Sequence, residues 1–246
     1  MKKVALVLVA VVSLLAPNAF AHTTVKSQMT EGVRDDNALR IGHGCEDPDT
    51  GTMSGVIGQS VVFPTGDPVL TTSDPNFAVG ALSDVTAQAD LAGLVGAIQD
   101  RSIFLHQGTK TDATGNVIGF FGNLGYLEPG FGGRVPFQFT PPNFLADSCA
   151  RQLLIKIAIA DICRISPQLR AGRVNLWIPD NGSQISTAAK AAGIDGVGAP
   201  ATLIVNRNLT ANPLPESCGS GFSLTITPSP AQVDRDLPIN KFWRVR

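Results

Sequence analysis

The sequence predicts a mainly β protein, an antiparallel β-sandwich with long loops and one or two short helices. Twenty-five glycines and 17 prolines divide the 246 residues into short segments. Nine of these segments have the alternation or the β-branched and aromatic composition that is typical of strands. Most lie about 10–25 residues apart with turn residues between them, the spacing of a sandwich rather than of alternating strands and helices.

The clearest strand is Leu153–Ile162, whose odd positions from 153 to 159 are Leu, Ile, Ile and Ile. This regular apolar face predicts a strand with at least one fully buried side. The other predicted strands are Ala38–Gly42, Ser60–Phe63, Ile103–His106, Val117–Phe121, Val135–Thr140, Val174–Ile178, Ala201–Val205 and Phe222–Thr227.

Two segments have helical character. Ser83–Gln99 begins with a potential N-cap serine and places leucine, valine and isoleucine on one helical face. Ser186–Ala192 is shorter and rich in alanine. After Thr227 the chain contains Pro228, Pro230 and Pro238, so residues 228–246 are expected to form a terminal arm or a final edge strand.

The first 21 residues have the pattern of a signal peptide. Lys2 and Lys3 precede an apolar run, and Ala19-Phe20-Ala21 places small residues where signal peptidase reads them. We therefore expect a single domain, residues 22–246, that is periplasmic or extracellular. This part of the chain has no 18-residue apolar run, so no membrane span is expected.

The charge and the cysteine content limit the kinds of function that the sequence predicts. Residues 22–246 contain 17 basic and 20 acidic residues, a net charge of −3, and no basic patch that predicts nucleic-acid binding. Four cysteines in an exported chain predict two disulfides. Of the three pairings, we favour Cys149–Cys163 with Cys45–Cys218, on the expectation that the strand between 149 and 163 returns beside its own start.

The predicted cleavage leaves His22 as the first residue. An N-terminal histidine offers its α-amine and its ring Nδ1 to the same metal ion, and two nitrogens in tetragonal geometry suit Cu(II) best. His43, between two glycines in Ile-Gly-His-Gly-Cys, adds a third nitrogen if the two histidines converge. Five nearby carboxylates are candidates for a fourth or axial ligand or for a group that orients an imidazole: Glu31, Asp35, Asp36, Glu46 and Asp47. Of these, Glu31 is the one we take as the ligand.

The segments AHTTVKS and LRIGHGCED resemble the YcnI-like family of exported copper-binding domains. The resemblance covers about His22 to Phe63. It implies an immunoglobulin-like sandwich that binds one Cu(II) per chain through the N-terminal histidine, a carboxylate and a nearby tryptophan. Trp177 and Trp243 are the candidates for that tryptophan.

The leading hypothesis is a non-enzymatic Cu(II)-binding protein that scavenges, buffers or delivers copper, with a copper-handling protein as its partner. One alternative is a structural or cell-surface protein that assembles with itself, because the chain is apolar, rich in glycine and poor in charge. A second alternative is a copper-dependent oxidase or monooxygenase with a histidine brace, in which Tyr126 approaches the metal. No G-x-S-x-G, H-E-x-x-H or phosphate-binding motif indicates other enzyme chemistry.

Overall fold

The computed structural model describes residues 22–239, so the predicted signal peptide and the last seven residues lie outside it. Strands carry most of the regular structure. In chain order they are β1 Thr24–Val25, β2 Met29–Thr30, β3 Asp35–Ile41, β4 Cys45–Asp47, β5 Thr52–Ser54, β6 Gly58–Val62, β7 Val69–Thr72, β8 Val95–Ala97, β9 Phe104–Thr111, β10 Val117–Gly125, β11 Gly133–Phe139, β12 Ala150–Ile162, β13 Val174–Trp177, β14 Ala201–Asn206 and β15 Phe222–Thr227. The helices are α1 Gln184–Ala191 and α2 Pro230–Asp236.

The strands form two main sheets, consistent with the predicted β-sandwich. The smaller sheet has the order β1-β3-β11-β8, and all its pairs are antiparallel. The larger follows β2-β14-β12-β6-β10-β9, with β13, β15 and β7 attached through β12 and β15. β4 and β5 form a separate hairpin. The main core contains apolar side chains of both sheets, such as Leu39 and Phe137 from the smaller and Leu153 and Phe63 from the larger.

Strand β12 is the centre of the molecule and is buried on both sides. Its first half pairs with β14 and with the parallel strand β15, and its second half pairs with β13 and β6. The odd positions that the sequence singled out, from Leu153 to Ile159, lie in the core between the sheets. Ala158, Ala160 and Ile162 face the opposite way and pack beneath the helices.

The two helices cover the outer side of the larger sheet. Ser183 caps α1, and Ser229 caps α2, each by accepting a hydrogen bond from a backbone N–H in the first turn. The helix predicted near residue 186 is confirmed. The tail after Thr227 is neither a strand nor a loose arm as far as residue 239, because it forms α2, whose Val233 and C-cap Leu237 are fully buried.

The helix predicted over Ser83–Gln99 is wrong. One 3₁₀ turn, Leu82–Asp84, is followed by irregular chain and by β8. Gly93 has a φ of +79°, which a right-handed helix does not contain. The apolar residues Leu91 and Val95 are buried in the sandwich core from a loop and a short strand, which imitates the spacing of a helical face.

The structure contains two disulfides, as predicted, but the pairing that we favoured is wrong. The bridges are Cys45–Cys163 and Cys149–Cys218. Cys149 and Cys163 lie at opposite ends of β12, whose 13 extended residues span about 40 Å, so they cannot meet. Two bridges of this kind fit an oxidising compartment outside the cytoplasm. In the described part of the chain, no helix is long and apolar enough to cross a membrane.

Candidate metal centre

Pairing of β1 with β3 brings the first two histidines to one end of the smaller sheet. Thr24 lies opposite Arg40 and Val25 opposite Leu39, so His22 precedes β1 where β3 ends. His43 follows β3 by two residues. The antiparallel register therefore places both histidines at the same end of the β1–β3 pair, at the edge of the smaller sheet.

Both imidazoles lie against the same buried indole. The ring centroid of His22 lies 5.0 Å from that of Trp177, and the centroid of His43 lies 5.9 Å from it. Both imidazoles stand nearly perpendicular to the indole, at 78° and 90°. Trp177, at the end of β13, has no exposed surface, whereas both histidines are partly exposed. The indole is thus a buried floor that both partly exposed histidines contact.

Backbone contacts fix the orientation of His43. Its Nδ1 contacts the carbonyl oxygen of Gly44, and that same oxygen accepts a hydrogen bond from the side chain of Asn175 at 3.0 Å. An Nδ1 that donates to a carbonyl leaves the lone pair of the neutral ring on Nε2. Nε2 lies 4.0 Å from a carboxylate oxygen of Asp195. Two electron-rich atoms that face each other in this way are stabilised by a proton or another cation between them.

Two glycines allow this close packing. A Cβ on Gly44 would lie 1.9 Å from the carbonyl oxygen of Ser54, so the β4–β5 hairpin excludes any other residue there. Gly196 has a φ of +101°, and a Cβ on it would lie 2.6 Å from the Trp177 ring. Only glycine lets the loop that carries Asp195 close against the indole.

A buried carboxylate lies beneath the tryptophan. Asp161 is fully buried and accepts hydrogen bonds from Trp177 Nε1 at 2.5 Å, Thr23 Oγ1 at 2.6 Å and Gln59 Nε2 at 2.7 Å. Burial raises the pKa of Asp161, while the three hydrogen bonds and the charge of His43 act to lower that pKa. Asp161 therefore joins the residue after His22 to the indole that both histidines contact.

The structure does not bring Glu31 to this group. Its carboxylate accepts hydrogen bonds from the backbone N–H of Phe144 and of Asn208, both at 2.7 Å, and from the side chain of Asn212. Its own N–H bonds to Asn206, which pairs with Gln152 near the start of β12. That position is nine residues from Asp161 along β12, about 30 Å away. Glu31 ties three loops together at the opposite end of the sandwich.

The remaining candidates have separate surroundings. The third histidine, His106, donates a hydrogen bond from Nδ1 to Asn123 Oδ1 of the neighbouring strand and packs against Phe121. Tyr126 is half exposed, and its ring lies against Gly55. Trp243 lies outside the described residues. Within residues 22–239, no three side chains of His, Cys, Asp and Glu are grouped so as to hold a metal ion by themselves.

Sequence reasoning missed Asp195 and Asp161. Asp195 stands in Gly-Ile-Asp-Gly, flanked by glycine as His43 is, and this was the available signal. Asp161 is the lone acid at an inward position of an apolar strand, where a carboxylate needs specific donors. Comparisons of the chain with models of protein families, with curated proteins and with solved structures found no match.

Proposed function

We propose that this protein is an exported Cu(II)-binding protein that takes one copper ion per chain at its N-terminal histidine. The observation that carries the proposal is that His22 and His43 both contact the ring of Trp177, with Asp195 beside the second histidine. After cleavage at Ala21, His22 contributes its α-amine and ring, and His43 contributes Nε2. Three nitrogens and one carboxylate oxygen form a donor set that favours Cu(II).

The α-amine is essential to this proposal. No three described side chains of His, Cys, Asp and Glu are grouped so as to hold a metal ion, so the proposal depends on the α-amine that cleavage would give His22. Asp195 takes the role that the sequence assigned to Glu31. Because protons compete with the metal for these ligands, Cu(II) affinity should fall as the pH is lowered. A partly exposed site fits a protein that accepts and releases copper for a partner rather than one that retains it.

The test is a Cu(II) titration of protein whose mass shows that it begins at His22. We expect one equivalent, an axial electron paramagnetic resonance spectrum with nitrogen coupling, and quenching of the Trp177 emission. His22→Ala, or one extra methionine before His22, should remove this binding. His106→Ala is the matched control, since it also deletes one imidazole, and it should bind as the wild type does. Tight, unchanged binding in the methionine-extended protein would refute the proposal.

A second candidate function is self-assembly, favoured by one patch on the larger sheet. The register between β9 and β10 places Leu105 opposite Leu124, and both are 63% exposed. β9 is the terminal strand in the order of its sheet. Exposed apolar pairs on an edge strand are typical of association surfaces. Concentration-dependent assembly in the absence of metal, reduced by Leu105→Lys, would support this function.

A further inference from the structure

The buried carboxylate of Asp161 is unusual for its place in the fold. It lies on β12, the longest strand described, opposite Gln59 of β6 and Asn175 of β13. Its side chain has no exposed surface. Removing a carboxylate from water costs several kcal/mol unless hydrogen bonds compensate for the lost hydration. A hydrophobic residue would be accommodated more easily at such a position, so the contacts that Asp161 makes identify its role.

The three donors to Asp161 come from three separate elements. One carboxylate oxygen accepts from both Thr23 Oγ1 and Trp177 Nε1, at 2.6 and 2.5 Å. The other oxygen accepts from Gln59 Nε2. Thr23 is 1% exposed although it immediately precedes the two-residue edge strand β1. The hydroxyl of Thr23 therefore anchors the N-terminal end of the domain in the core.

The shared oxygen links the two parts of the metal site. Thr23 is covalently adjacent to His22, so fixing Thr23 limits where the His22 amine and ring can lie. Trp177 supports both imidazoles, and its N–H holds the indole in one orientation. We propose that Asp161 is a positioning residue for the copper site, which holds the terminal histidine and the indole floor in register through one carboxylate oxygen.

This inference rests on the proposed function, because it assigns Asp161 a role toward the copper that His22 binds. Residues that orient metal ligands without touching the metal typically change metal affinity 10- to 100-fold when they are replaced. The Thr23–Asp161 hydrogen bond lies one residue from His22, at the start of the short strand β1. We therefore expect an effect in the same range for loss of the Thr23–Asp161 hydrogen bond.

The experiment compares Thr23→Val, Thr23→Ser and Asp161→Asn with the wild type, all beginning at His22. Thr23→Val is nearly isosteric and removes the hydroxyl, whereas Thr23→Ser keeps it. Without metal, Thr23→Val should increase amide hydrogen exchange at Lys26, whose N–H bonds to Ala38. With Cu(II), it should weaken binding at least about tenfold and alter the nitrogen coupling. Thr23→Ser should restore both the affinity and the spectrum.

The outcomes separate the two proposals. If the wild type binds Cu(II), His22→Ala does not, and Thr23→Val and Asp161→Asn match the wild type in affinity and spectrum, the positioning role is overturned while the copper site stands. If the wild type binds no Cu(II), the proposed function fails, and the inference fails with it. Should Asp161→Asn not fold, the Thr23→Val and Thr23→Ser pair decides the question alone.

Discussion

Replacing Glu31 with glutamine should destabilise the fold without changing Cu(II) binding. The sequence placed Glu31 among the metal ligands, whereas the structure gives its carboxylate a different task. It accepts two backbone hydrogen bonds of 2.7 Å and two longer bonds from Asn212, and the residue is 8% exposed. The Glu31→Gln substitution keeps the size of the side chain and replaces one acceptor oxygen with a donor.

The magnitude follows from the hydrogen bonds that are lost. In either orientation of the glutamine amide, its NH₂ group faces an N–H donor that then has no acceptor. A hydrogen bond to a charged group contributes about 1.5–3 kcal/mol, and an unsatisfied buried donor costs about 1–3 kcal/mol. We therefore expect the free energy of unfolding to fall by about 3 kcal/mol. For a domain of this size, the midpoint of thermal unfolding falls by about 6–12 °C.

The assay combines urea unfolding, calorimetry and Cu(II) titration of Glu31→Gln and of Glu46→Gln. Glu46 is the matched control because it is exposed and stands three residues from His43. Glu46→Gln should leave stability within about 0.5 kcal/mol of the wild type. A folded Glu31→Gln protein that has lost Cu(II) affinity, or one with wild-type stability, would refute the structural role assigned to Glu31.

Two further predictions concern the disulfides and Lys110. Replacing both cysteines of the Cys45–Cys163 bridge by alanine should lower stability by up to about 5 kcal/mol and weaken Cu(II) binding, because Cys45 follows His43 by two residues and the bridge closes a separation of 118 residues. The same change at Cys149–Cys218, at the far end of β12, should lower stability comparably and leave Cu(II) affinity unchanged. If both changes weakened Cu(II) binding equally, the link between the Cys45–Cys163 bridge and the copper site would be contradicted. Burial lowers the pKa of Lys110 to about 8, so between that pH and its ordinary value of 10.5 the folded chain binds fewer protons than the unfolded chain. The stability of the wild type relative to Lys110→Met should therefore rise by about 2 kcal/mol across this interval, measured by urea unfolding, and a constant difference would show that the lysine is not desolvated.

Strands were predictable from sequence where burial imposed a regular pattern. All nine segments named from composition and alternation lie in strands, and β12 shows the predicted apolar face. The strands that were missed, such as β1, β4 and β8, have two or three residues, too few for a period to emerge. The false helix over Ser83–Gln99 has the same origin, since apolar residues on an irregular path can repeat a helical spacing by chance.

The candidate site was predictable where the chemistry belongs to single residues. His22 follows a cleavage motif and His43 stands between glycines, so both were identified without a structure. Glu31 was chosen by its proximity in sequence, and proximity along a β chain is a poor guide, because each strand carries the chain to the opposite end of the sheet. Asp195 lies more than 150 residues from His43 in sequence, and only the loop after α1 brings it to the imidazole.

The sequence by itself determined the mainly β character of the protein, the number of its disulfides, and the two histidines on which the proposed function depends. These properties follow from local pattern and from the chemistry of individual side chains. Tertiary structure decided which cysteines pair, which carboxylate accompanies His43, and that Trp177 and Asp161 lie beneath both histidines. Each of these contacts joins residues from strands far apart in the chain, and the registers that bring them together result from burial of the whole core.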